Sequence, residues 1–132
     1  MAHKMHRLLL AAVCLVPHLC LGQEGTRSVP PECARFLGLW SGTLSLGFYG
    51  KQRIHVTQVS DQCVATLAYS PTEAMPESSS QIPIQAGVMT FACSVPGSTC
   101  RLEVKEDALH LTVTTPSGFV NTGVFRKAPP GQ

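Results

Sequence analysis

LGLWSGTLSLGFYG, residues 37–50, carries the chain's only tryptophan among four glycines. Gly38, Trp40, Gly42, Leu44 and Leu46 recur at every second position, which places them on one face of a β-strand. Successive side chains of a strand alternate between faces, so this face is apolar and tight while Ser41, Thr43 and Ser45 occupy the other. A tryptophan so placed either lines a ligand site or plugs one end of a closed sheet.

The period of two continues downstream. In KQRIHVTQV, residues 51–59, Ile54 and Val56 alternate with Arg53, His55 and Thr57. In QCVATLAYS, residues 62–70, Cys63, Ala65, Leu67 and Tyr69 share a face. A short strand is expected around Ile82 and Ile84, followed by GVMTFACS, TCRLEVK, ALHLTVTT and SGFVNTGVFRK. Gly, Pro, Asp and Ser separate these runs, and no segment has the 3.6-residue period of a helix. The longest interruption is PTEAMPESSS, residues 71–80, read as a polar loop of the kind that often carries function. Seven or eight short strands joined in sequence predict an all-β fold, a small antiparallel up-and-down barrel. Closure also removes the exposed edges an open sheet would leave.

The ends set the compartment. Lys4 and Arg7 precede an apolar stretch from Leu8 to Leu21, and Gly22 supplies a small residue at a cleavage point before Gln23. Residues 1–22 therefore read as a signal peptide, with secretion or delivery to a periplasm as the expected outcome. The stretch is shorter than the roughly 20 residues that span a bilayer, so no membrane span is expected. Taking 22 residues from 132 leaves 110, one domain's worth. Residues 23–33 read as a flexible leader, 34–127 as the barrel and 128–132 as a disordered tail. Lys4 and Arg7 leave with the signal, so eight basic residues balance eight acidic ones. A formally neutral domain offers no electrostatic case for nucleic acid.

Four cysteines remain after the signal: Cys33, Cys63, Cys93 and Cys100. An even number in an exported chain points to two disulfides, with three pairings open. Cys93 and Cys100 flank SVPGST, whose Pro96-Gly97 signals a turn, and this favours Cys93–Cys100 with Cys33–Cys63. The rival, a zinc site of four cysteines, lacks the paired knuckles such sites use.

Catalytic constellations are sparse. Downstream of residue 22 the only histidines are His55 and His110, and the only aspartates are Asp61 and Asp107. Ser41 does not sit in a G-x-S-x-G elbow, and no Gly-rich phosphate loop leads into a helix. The expectation is a non-enzyme with no cofactor and no metal.

Gly38-Leu39-Trp40 resembles the G-x-W signature of lipocalin-like β-barrels. That resemblance implies a Trp plugging one end of the barrel with an Arg from the end of the last strand across it, which assigns Trp40 and Arg126 to closure. It also implies a small apolar ligand inside, with Leu44, Ile54, Leu67, Tyr69, Phe91 and Phe119 as candidate lining residues. The expected function is a secreted binding protein for a small apolar ligand or a cell-envelope component. The alternative is a secreted protein-interaction factor such as a protease or lysozyme inhibitor, an architecture that compact metalloprotease inhibitors also resemble.

Overall fold

The computed structural model describes residues 27–46, 50–70, 78–93 and 95–129. The segment read as a signal peptide (1–22), residues 23–26 of the expected leader, residues 71–77 of the expected loop and residues 130–132 of the expected tail lie outside the described residues. A one-turn helix, α1 (Pro31–Ala34), precedes eight strands: β1 (Gly38–Leu44), β2 (Gln52–Val59), β3 (Val64–Ser70), β4 (Ser78–Gln85), β5 (Val88–Ala92), β6 (Thr99–Lys105), β7 (Ala108–Thr114) and β8 (Val120–Lys127). Each strand pairs with the next and β8 pairs back onto β1, giving a closed antiparallel up-and-down barrel.

The register turns the period-two pattern into a core. Trp40 lies opposite Ile54, Leu67 opposite Val56, Leu102 opposite Met89, and Leu109 opposite both Val104 and Phe125. All of these are inward, and all but Val104 are at most 1% exposed. The lower and middle barrel is therefore packed solid with side chains, as an eight-stranded barrel permits.

The β1–β8 seam explains two glycines, one in the opening stretch and one in its partner strand. A Cβ on Gly42 would lie 2.5 Å from the Val124 carbonyl oxygen and 3.0 Å from the Phe125 ring. A Cβ on Gly123 would lie 2.6 Å from the Thr43 carbonyl oxygen and 3.2 Å from the same ring. Phe125 thus folds over both glycines and fills the space their missing side chains leave. Gly42→Ala must move backbone rather than a flexible side chain, so it is expected to cost about 1–3 kcal/mol, read as a lowered denaturation midpoint at unchanged slope.

Two features depart from the expected outline. Pro31–Ala34 are helical, with proline at the first helical position, where its missing N–H costs nothing. Cys33 in that turn is 3% exposed and Val29 packs against the core, so the packed region begins inside the segment read as leader. Ser78, Ser79 and Ser80, read as the end of a loop, form the start of β4, because Tyr69, Ala68 and Leu67 of β3 supply partners. Serine has little strand preference of its own, and pairing overrides it. At the other end Ala128 remains tied, its N–H donating to the Leu39 carbonyl at 2.8 Å.

Candidate functional site

The two ends of the barrel are built differently. At one end the β2–β3, β4–β5 and β6–β7 connections are tight turns. Cys63, Ala86, Glu106 and Asp107 take up left-handed backbone there, alongside Gly87. α1 lies at this end, anchored by the Cys33–Cys63 disulfide with a Cα–Cα distance of 5.6 Å. Phe36 follows α1 into the core at 1% exposure, and its carbonyl accepts a 2.8 Å hydrogen bond from Trp40 Nε1. Trp40 is itself 1% exposed. Helix turn, Phe36, Trp40 and disulfide together form a floor.

The cation over Trp40 is Lys127, its Nζ 5.2 Å from the ring centroid, not Arg126. Strand parity is the reason. Trp40 pairs with Lys127 and Gly42 with Phe125, so residues 125 and 127 face inward, while Arg126 pairs with Ser41 and is exposed on the outer face. A depression of about 280 Å³ lined by Arg35, Trp40, Val104, Asp107 and Lys127 marks the outside of this floor.

At the opposite end lie the longer connections, β1–β2, β3–β4, β5–β6 and β7–β8. Here inward-facing side chains are incompletely covered. Leu44, Tyr69, Phe91 and Val113 are half-buried against the core, and Ser78 and Ser80 are exposed although they lie opposite Tyr69 and Leu67. Gln52 is inward and 2% exposed, and its Oε1 accepts a 3.0 Å hydrogen bond from the Tyr69 hydroxyl. The Cys93–Cys100 disulfide borders the same layer, Cys100 facing inward opposite Phe91 and Val113.

Among the described residues, the rim above exposes several apolar side chains. Leu46, Val95, Phe119 and Val120 are each more than 40% exposed. Asn121 links two rim segments, its Oδ1 accepting from the Leu46 N–H at 3.1 Å and from the Ser45 hydroxyl at 2.9 Å. Gly97 packs so closely on Pro116 that a Cβ would lie 2.7 Å from its ring, which brings the Val95 and Phe119 loops together.

The structure sorts the candidate lining residues. Leu44, Tyr69 and Phe91 all lie at the open end, half-buried against the core. Ile54 and Leu67 are sealed in the packed middle at 0% and 1% exposure. Phe119 is 52% exposed on the rim and lines no interior; it falls in the β7–β8 turn, where its N–H donates to the Thr115 hydroxyl and strand alternation has not begun. Sequence reasoning missed Gln52, Ser78 and Ser80; continuing the alternation back from Ile54 and Ile82 points to all three.

The outer face carries the charges. Glu103 accepts from Arg101 Nη1 at 2.8 Å and lies 3.7 Å from Lys105 Nζ. The Arg101 hydrogen bond holds its carboxyl below the usual carboxylate range. His110 lies opposite Glu103, and His55 stands on the outer face of β2. No cluster of three metal-ligating side chains occurs among the described residues. Among them, too, no helix is long and apolar enough to cross a membrane. Two disulfides point to an oxidising, extracellular type of environment.

No protein-family model matches the chain, and no curated protein matches it.

Proposed function

We propose that the chain is a secreted, non-catalytic, lipocalin-like binding protein that takes a small apolar or amphipathic ligand at the open end of its barrel. One observation carries the reading. Apolar inward side chains are at most 8% exposed through the floor and middle, yet Leu44, Tyr69, Phe91 and Val113 at the open end lack a full covering. Apolar lining with a few placed polar groups, here Gln52 and the Tyr69 hydroxyl, is how small-molecule sites are made. Because the middle is filled, the ligand occupies only the upper layer.

The exposed rim residues Leu46, Val95, Phe119 and Val120 favour a second reading, a protein partner seated on the loops. One pair of variants separates the two. N-phenyl-1-naphthylamine, a neutral apolar fluorophore, should bind the exported protein and brighten. Phe91→Asp should weaken that binding at least tenfold, while Phe119→Asp leaves it within twofold. Absence of any binding sinks the ligand reading and leaves the rim as the site, tested by loss of a co-purifying secreted protein in Phe119→Asp.

A further inference from the structure

The barrel wall is unevenly sewn. Seven of its eight seams carry between five and seven register pairs, whereas β4 and β5 share two, Ile84↔Met89 and Gln85↔Val88. Continued upward, that register would set Pro83 against Thr90, Ile82 against Phe91 and Gln81 against Ala92. None of these pairs forms.

Proline accounts for where the ladder stops. Gln85 and Val88 flank the two-residue turn Ala86-Gly87 and form its closing pair. The Ile84 N–H points the other way and donates to the Cys63 carbonyl at 2.8 Å. In an antiparallel ladder the direction alternates, so residue 83 is the next whose N–H must point at β5. Pro83 has none to give, and the Thr90 carbonyl receives nothing from it. A proline usually guards the exposed edge of a sheet. Pro83 instead sits inside a closed barrel, where its effect is to leave a seam open.

Exposure rises along the unpaired stretch above Ile82, which itself stays buried. Ser78 and Ser80 face inward on β4 yet are exposed, and on β5 Phe91 faces inward yet is only half-buried. The strands of the slot carry no charge of their own: from Ser78 to Cys100 the sequence contains no Asp, Glu, Lys or Arg, and Arg101, opposite Thr90, stands on the outer face paired with Glu103. The other polar groups of the upper layer, Gln52, Tyr69 and Asn121, are neutral as well. An ionised head group would find no counter-charge in this wall and would lose hydration for nothing.

We propose that the upper β4–β5 seam, held open by Pro83, is the lateral slot through which the ligand reaches the upper layer, and that the ligand is a neutral amphipath, an apolar chain bearing a hydroxyl or amide. Its chain lies against Ile82, Phe91 and Leu44, and its polar end meets the Ser78 and Ser80 hydroxyls. This inference rests on the small-ligand reading above.

The test uses the exported protein with both disulfides formed. Stopped-flow fluorescence measures N-phenyl-1-naphthylamine uptake, and dodecan-1-ol and dodecanoate compete for it at equal chain length. Dodecan-1-ol should displace the fluorophore at least tenfold more effectively than dodecanoate. Pro83→Val supplies the missing donor, and the new amide at position 83 should become protected from hydrogen exchange while uptake slows at least tenfold. Pro83→Ala serves as a second closing variant should valine fold poorly. Failure of any fluorophore or alcohol to bind removes the small-ligand reading itself. Binding with native uptake rates in a variant whose residue-83 amide is protected overturns the slot alone. An unprotected amide in both variants overturns Pro83 as its cause, and dodecanoate competing as well as the alcohol overturns the neutral ligand class.

Discussion

Trp40→Ala is expected to cost about 3–5 kcal/mol, the range for deleting a large buried aromatic. Nothing at the floor can collapse into the space: Trp40 is 1% exposed, and Phe36 and Ile54 beside it are already buried at 1% and 0%. The deletion also leaves the Phe36 carbonyl without the 2.8 Å hydrogen bond it accepts from Nε1. Domains of this size are stable by about 5–15 kcal/mol in total, so the variant should retain its fold only at low temperature. Trp40→Phe isolates the hydrogen bond and should cost about 1–3 kcal/mol beyond its packing change, the penalty for an unsatisfied buried acceptor. Denaturant midpoints at unchanged slope measure both. Lys127→Ala should lower stability by about 0.5–1 kcal/mol, as an exposed cation–π pair implies, with Arg126→Ala near zero because that guanidinium faces away from the indole. An equal or larger loss for Arg126→Ala would reverse the assignment. Trp40→Phe should leave fluorophore binding at the open end within twofold, which separates a floor residue from a ligand-lining one.

How much of this was legible follows from what each residue's position depends on. Alternation at residues 38–46, 54–56, 63–69 and 109–113 reports which side chains share a face, and closed up-and-down topology follows from joining such strands in order. The Cys93–Cys100 and Cys33–Cys63 pairing was legible because a seven-residue separation across a turn favours one partner. The identity of the cation over Trp40 was not, because a family pattern fixes a neighbourhood and strand parity fixes a face. Counting two on from Phe125, whose inward place the apolar pattern gives, selects Lys127. Ser78, Ser79 and Ser80 read as loop in the sequence because they are in strand only through their pairing with β3. The open seam is not legible for a related cause: the sequence places Pro83 in a strand between Ile82 and Ile84, and only the register shows that its absent N–H is the one β5 requires.

Replacing Cys33 and Cys63 together by alanine should destabilise the protein more than replacing Cys93 and Cys100, and the difference can be sized. A cross-link lowers the entropy of the unfolded chain in proportion to the logarithm of the loop it closes. Separations of 30 and 7 residues give about 3.6 and about 2.4 kcal/mol respectively. The packing consequences widen the gap. Cys33 is 3% exposed within α1, and α1 sets the approach of Phe36, whose carbonyl holds the indole of Trp40. Freed of its bridge, a one-turn helix has too few internal bonds to persist alone, so the floor loosens with it. Cys93–Cys100 bridges a hairpin already held by the β5–β6 ladder and by the Cys93 N–H donating to the Ser98 carbonyl at 3.0 Å. Thermal midpoints of the two double-alanine variants therefore should fall in that order, and only the Cys33–Cys63 variant should make the Trp40 indole N–H exchange readily with solvent. A larger fall for the hairpin pair, or a Trp40 N–H that stays protected without Cys33–Cys63, would mean that the floor stands by side-chain packing and not by the tether of its first turn.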